Sequence, residues 1–268
     1  MRTDSPHAFL DPGFAAAVRP IAAQTPVATS AEGLEAGAIR LGEIPAYFAR
    51  PQGTGTFPIL VVVPEIFGLH EHIRDVCRRF AHEGYLAIAC EPYARYGDVT
   101  KLASIDEVRP IVAKASDAQV MADLDASVEW AVGQGGDRAR LGVTGFCWGG
   151  RIAWLYAAHN PKVRAGVAWY GRVEGAASAQ QPKYPIDLAA DIRAPVLGLY
   201  GGADAGIPAE GVERFREALR RAGRPSEIHL YPGMPHAFFA DYRPSYRAEA
   251  AHDGWRRALE WLRRHGVA

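Results

Sequence analysis

The sequence predicts an α/β fold, a mostly parallel twisted sheet with helices on both faces. Two observations carry this. Short β-branched and apolar runs, such as Phe57 to Val63 and Val163 to Trp169, show no polar alternation, which suits strands buried on both faces. Between such runs lie segments whose apolar residues recur every three or four positions, the pattern of amphipathic helices. Strand and helix alternate in this way from about Gly37 to the C-terminus, the order of a parallel sheet wrapped by its crossovers.

The elements follow in chain order. Ala38 to Leu41 and Ile44 to Ala49 flank Gly42-Glu43 and read as a hairpin. The buried strand Phe57 to Val63 runs into Pro64-Glu65-Ile66-Phe67-Gly68. Ile73 to His82 reads as a helix with Val76 and Phe80 on one face and Gly84 as its stop. Tyr85 to Ala89 is the next strand, followed by Glu91-Pro92-Tyr93-Ala94-Arg95. Val120, Leu124 and Val128 mark a surface helix, with Asp123, Asp125 and Glu129 off the apolar stripe. Arg140 to Thr144 is a strand, Ile152 to Ala158 a buried central helix, and Pro195 to Tyr200 a further strand. Val212, Phe215 and Leu219 mark the next helix, Glu227 to Tyr231 the last strand, and Ala251, Trp255, Leu259 and Leu262 the closing helix.

Composition bounds the function. Thirty basic and thirty acidic side chains in 268 residues give no net charge, so no electrostatic footprint for nucleic acid or an anionic membrane is expected. Three cysteines without a CxxC pair indicate neither a disulfide framework nor a zinc site. No apolar run reaches the roughly 20 residues a bilayer span needs. Residues 1–36 read as a disordered or loosely packed leader, and 37–268 as one domain. The leader's Phe14-Ala15-Ala16-Ala17-Val18 stretch is short and interrupted by Arg19 and Pro20. A cytoplasmic location is expected, with export the alternative if residues 1–24 are a degraded signal segment.

Ligands of parallel sheets bind beyond the carboxyl ends of the strands, so chemistry is sought there. Gly145-Phe146-Cys147-Trp148-Gly149-Gly150 lies between a strand and an apolar helix. It has the G-x-nucleophile-x-G form of a nucleophile elbow, with cysteine where serine is usual. A turn this tight strains the backbone of the nucleophile, and the helix N-terminus beneath it favours a thiolate. Asp204, after one strand, and His236, after the last, complete the order nucleophile, acid, base that an α/β-hydrolase fold requires.

The chain resembles the dienelactone hydrolase family (carboxymethylenebutenolidases) from about Gly37 onward. The resemblance is carried by Pro64-Glu65-Ile66-Phe67-Gly68, Tyr93-Ala94-Arg95, the elbow, Tyr170-Gly171, Gly202-Ala203-Asp204 and His236-Ala237-Phe238. It implies a cysteine-dependent hydrolase of a carboxylate-bearing lactone or ester. Cys147, His236 and Asp204 would form the triad, and Glu65 would help activate the thiol. The amides of Ile66 and Trp148 would form the oxyanion hole, and Arg95 would bind the substrate carboxylate. No metal or organic cofactor is called for, and the expected partner is a small ester or lactone, not a nucleic acid or a membrane. The chain departs from the family pattern at Ala240, where dienelactone-specific members carry a second substrate arginine. Arg243 is close but not equivalent. Trp148 is bulky enough to narrow the pocket.

Two other features were weighed. His70-Glu71-His72 lacks an evident third ligand and reads as a solvated helix start. A thiol reactive enough to be a nucleophile is also oxidisable, so a redox-sensing protein is the rival from another class. A hydrolase of short-chain or aryl esters is the nearer alternative.

Overall fold

The computed structural model describes residues 27–268. Eight strands form one sheet: β1 (Leu34–Leu41), β2 (Ile44–Pro51), β3 (Phe57–Val63), β4 (Leu86–Cys90), β5 (Gly136–Phe146), β6 (Val163–Trp169), β7 (Val196–Gly201) and β8 (Glu227–Tyr231). Their order across the sheet is β1-β2-β4-β3-β5-β6-β7-β8. The β1–β2 hairpin turns at Gly42, whose positive φ of 58° suits glycine. β2 joins β4 antiparallel, and every later pairing is parallel.

The longer helices are α1 (Glu71–His82), α2 (Ile105–Val112), α3 (Asp117–Gly133), α4 (Trp148–His159), α5 (Ala209–Arg221) and α6 (Ala248–Arg264). Both α1 and α3 pack on β4, whose five residues are all buried, so the sheet is covered on both faces. On one side α1 and α6 meet through Phe80 and Trp255, ring centroids 4.3 Å apart. Ile59 to Val62 of β3 are wholly excluded from solvent, which is why that run carries no polar residue.

Three expectations change. The leader boundary expected at residue 36 falls inside β1, and Thr29 already donates its amide (2.6 Å) and hydroxyl (3.1 Å) to Asp75 of α1. Residues 27–36 therefore pack with the domain, while the apolar stretch at 14–18 lies outside the described residues. Asp123 of α3 is buried rather than solvated, because it receives an arginine. Helix α2 was not expected from the sequence; Pro110 inside it breaks the helical pattern. Its signal was present as Ser104-Ile105-Asp106-Glu107: the Ser104 hydroxyl accepts from the Glu107 amide, and the Glu107 carboxylate accepts from the Ala103 amide. Among the described residues no helix is long and apolar enough to cross a membrane.

Candidate active site

β5 ends at Phe146 and α4 begins at Trp148, so Cys147 alone makes the turn. Its φ of 55° and ψ of −117° put it in a region that side chains rarely adopt. The flanking glycines permit this. A Cβ at Gly145 would lie 2.0 Å from the Gly149 carbonyl oxygen, and one at Gly149 would lie 2.3 Å from that of Val63. The Cys147 amide donates to the Trp169 carbonyl (3.0 Å), tying the elbow to the end of β6.

Asp204 follows β7 and His236 follows β8. Backbone bonds fix the spacing of their loops: the Gly202 and Ala203 amides donate to the carbonyls of Tyr231 (2.8 Å) and Met234 (3.0 Å). Asp204 Oδ2 lies 2.6 Å from His236 Nδ1, while Oδ1 accepts from the Gly206 amide (2.9 Å). His236 and Cys147 line the same cavity. Burial alone would lower the His236 pKa, but the Cys147 sulfur and the Asp204 carboxylate outweigh it and push the group up to about 10. The imidazole is fixed by Asp204 at Nδ1 and shares its cavity with the Cys147 thiol.

Cys147, Asp204 and His236 line a cavity of about 380 Å³, together with Ile66 and Trp148. Trp148 is the first residue of α4, so its amide has no acceptor within the helix. Its ring lies against Tyr93, centroids 5.2 Å apart, and forms part of the wall. A larger hollow of about 780 Å³ over α5, lined by Glu210, Arg214 and Glu217, contains no nucleophile.

Glu65 lies two residues beyond β3, fully buried. It accepts a hydrogen bond from the Tyr242 hydroxyl, and it lies 3.4 Å from His70 Nε2 and 3.9 Å from the Arg243 guanidinium. These contacts tie the carboxylate to residues 242–243 and 70. Burial would raise its pKa, yet the bond from His70 and the charge of Arg243 bring it down to about 2.

The structure corrects two readings. Arg95 does not reach the cavity: its guanidinium is held bidentately by Asp123 (2.7 and 2.8 Å), whose buried carboxylate needs a cation. Arg243 lines the cavity instead. The chain turns tightly after His236, with Ala237 at a φ of 58° and the amides of Ala240 and Arg243 donating to the carbonyls of Ala237 and Ala240. Sequence spacing from the histidine therefore did not reveal that Arg243 folds back beside it. Second, His70-Glu71-His72 is not solvated. All three are buried: His70 faces Glu65, Glu71 accepts from Arg78, and His72 Nδ1 lies 3.2 Å from Asp241. Each side chain thus has a charged protein partner, and among the described residues no cluster is arranged to hold a metal.

A one-residue strand–helix turn at Cys147 on a mostly parallel sheet, with Asp204 and His236 after the last two strands, places the chain among hydrolases of the α/β-hydrolase fold. The sequence model of the dienelactone hydrolase family matches residues 44–266, and the protein belongs to that family. Proteins of Methylorubrum extorquens and Escherichia coli K12, each named "Putative carboxymethylenebutenolidase", are 60% identical over 96% of this chain and 90% of theirs, and 54% identical over 95% and 96%. A crystal structure titled "Putative Dienelactone Hydrolase" from Klebsiella pneumoniae superposes with a TM-score of 0.84 at 54% identity, over 86% of this chain and 98% of the other. An acylaminoacyl peptidase of Pyrococcus horikoshii shares only the fold (TM-score 0.70, 16% identity, 88% of this chain and 42% of that one).

Proposed function

We propose that the protein hydrolyses a carboxylate-bearing ester or lactone through Cys147, His236 and Asp204, with Arg243 as the inner carboxylate anchor. The observation that carries this reading is one cavity lined by a strained cysteine and a histidine, with an aspartate fixing the histidine's Nδ1. A free thiol ionises near ~8.5, so it needs a base at neutral pH, and His236 is placed to take the proton. The thiolate adds to the carbonyl carbon, and the oxyanion accepts hydrogen bonds from the Ile66 and Trp148 amides. As the C–O bond breaks, the imidazolium returns the proton to the departing oxygen. Water, deprotonated by His236, then cleaves the thioester and frees the thiol. In a lactone the departing oxygen stays attached to the acyl chain.

Arg243 replaces Arg95 in this scheme. Its side chain is 19% exposed, lies over the Phe67 ring and is only loosely paired with Glu65. An incoming carboxylate would compete with Glu65 for it, which would free Glu65 to act on the thiol. The test is turnover of dienelactone and of a p-nitrophenyl ester by the protein and by Cys147→Ala. Both activities should vanish in the variant while the protein stays folded; turnover retained without the sulfur sinks the mechanism. Dienelactone inert but the aryl ester cleaved moves the substrate to another ester class. The sensor reading has its own support, since Cys147 is partly accessible while Cys77 and Cys90 are buried. Silence on both esters, with Cys147 readily oxidised by peroxide, would favour it.

A further inference from the structure

We propose that the rim of this cavity is a second anion subsite, formed by Arg172 and Arg109 with Gln181 beside them. The enzyme would then favour esters with a negative group on the half that projects outward, besides the carboxylate assigned to Arg243. The proposal rests on the hydrolase reading above and extends it.

The cavity wall carries four arginines and a single carboxylate, Asp204. That carboxylate is committed to His236. Two of the arginines are also engaged. Arg151 is closed by Asp117 (2.6 and 2.7 Å) and the Lys183 carbonyl (2.6 Å), and Arg243 sits within reach of Glu65. The remaining two differ. Arg109 has only Asp106, at 3.8 Å, with side chains 73% and 91% exposed, a pair that water screens almost completely. Arg172 is exposed and has no hydrogen bond or ion pair among the described residues.

These two cations come from separate elements. Arg109 is in the last turn of α2, and Arg172 follows β6. Both line the same cavity, whose one carboxylate is taken by His236, and Arg109's own partner Asp106 is distant and exposed. The same wall carries the apolar side chains of Ile105, Ile207 and Trp148. The planar fork of each guanidinium suits carboxylate or phosphate oxygens. Gln181 adds an amide donor on the same wall.

The test compares phenyl acetate with 4-acetoxybenzoate and 4-acetoxyphenyl phosphate, whose anion sits on the departing half. The readout is the ratio of kcat/KM for each anionic ester to that for phenyl acetate, so intrinsic reactivity cancels between variants. The ratio should fall about tenfold in Arg109→Gln/Arg172→Gln, the size of one charge-assisted contact, and should fall with added salt in the unaltered protein. The larger fall among the two esters identifies carboxylate or phosphate as the better ligand. A ratio unchanged in the double variant, or lost in Arg243→Gln alone, overturns the rim site. Calorimetric titration of Cys147→Ala with 4-acetoxybenzoate reads the same contact without turnover. There the double rim change should weaken Kd about tenfold; an unchanged Kd overturns the proposal even if the hydrolase reading fails on its own terms.

Discussion

Two aspartate–histidine pairs among the described residues meet through the histidine Nδ1 and differ in setting. Asp204 meets His236 Nδ1 at 2.6 Å, and Asp241 meets His72 Nδ1 at 3.2 Å; both carboxylates are buried. His236 is 32% exposed and lines the cavity together with Cys147. His72 is 2% exposed, packed against the rings of Tyr242 and Phe239. Asp241 has a second cation, Arg79 at 2.5 Å, which in turn bonds Asp75 of its own helix. The first pair can pass a proton to something that enters and leaves. The second can only hold the segment that follows His236 onto α1. In the proposed mechanism, solvent access and the third group, rather than the pair itself, separate catalysis from support.

The largest effect expected from breaking this comparison is on the open pair. Asp204→Asn should lower kcat by about 10³–10⁴-fold by leaving the imidazole in the wrong tautomer, with little loss of stability. Steady-state kinetics and a melting curve check both halves; a kcat within tenfold of the original would show that Asp204 does not orient the base.

Asp241→Asn should reverse the pattern. Breaking a buried ionic contact costs about 3–5 kcal/mol, and Asp75 remains to hold Arg79, so the lower end is expected. Urea unfolding should show that loss, while kcat per folded molecule stays within several-fold. A kcat collapse without destabilisation would make the closed pair part of the chemistry.

The two pairs also respond to pH from opposite ends. The His236 pKa is raised from 6.5 to about 10, so its contribution to stability is complete below about 6.5 and lost as pH rises through about 10. For Asp241, burial raises the pKa, but the charge and bond of His72 and those of Arg79 lower it from 3.8 to about 2. Its contribution is present above about 3.8 and lost as pH falls through about 2. Denaturation across pH should therefore show a shallower alkaline slope in Cys147→Ala, and a shallower acid slope in Asp241→Asn. Slopes matching the unaltered protein at either end would contradict the assignment there.

The smallest effect is expected at Arg95, a third charged pair lying outside the cavity. Its side chain is 36% exposed against a buried Asp123. Arg95→Gln should cost about 1–3 kcal/mol, because it takes the cation from a buried carboxylate, and leave KM for a carboxylate ester nearly unchanged, whereas Arg243→Gln should raise it. A large KM rise in the Arg95 variant alone would restore that residue to the substrate site.

Much of this was legible in the sequence because it depends on local rules. The strand of residues 57–63 was readable because burial on both faces leaves no polar position, and the elbow because only small residues fit around a one-residue strand–helix turn. Chain order placed Asp204 and His236 at strand ends. What escaped was set by partners distant in sequence. Nothing near Arg95 announces that Asp123, 28 residues on, takes its guanidinium. Nothing in His70-Glu71-His72 announces Asp241, because a polar triplet before a helix looks the same whether it meets water or a buried carboxylate.

By itself, then, the sequence determined the fold class, the strand and helix order, and the identities of the nucleophile, acid and base candidates. These follow from periodicity and steric rules that act within a few residues. Only the tertiary structure decided which arginines face the cavity and which histidine is open to it. Those outcomes depend on how loops curl back after the strands and on which buried charge finds which counter-charge, and such pairings are settled by three-dimensional packing rather than by neighbours along the chain.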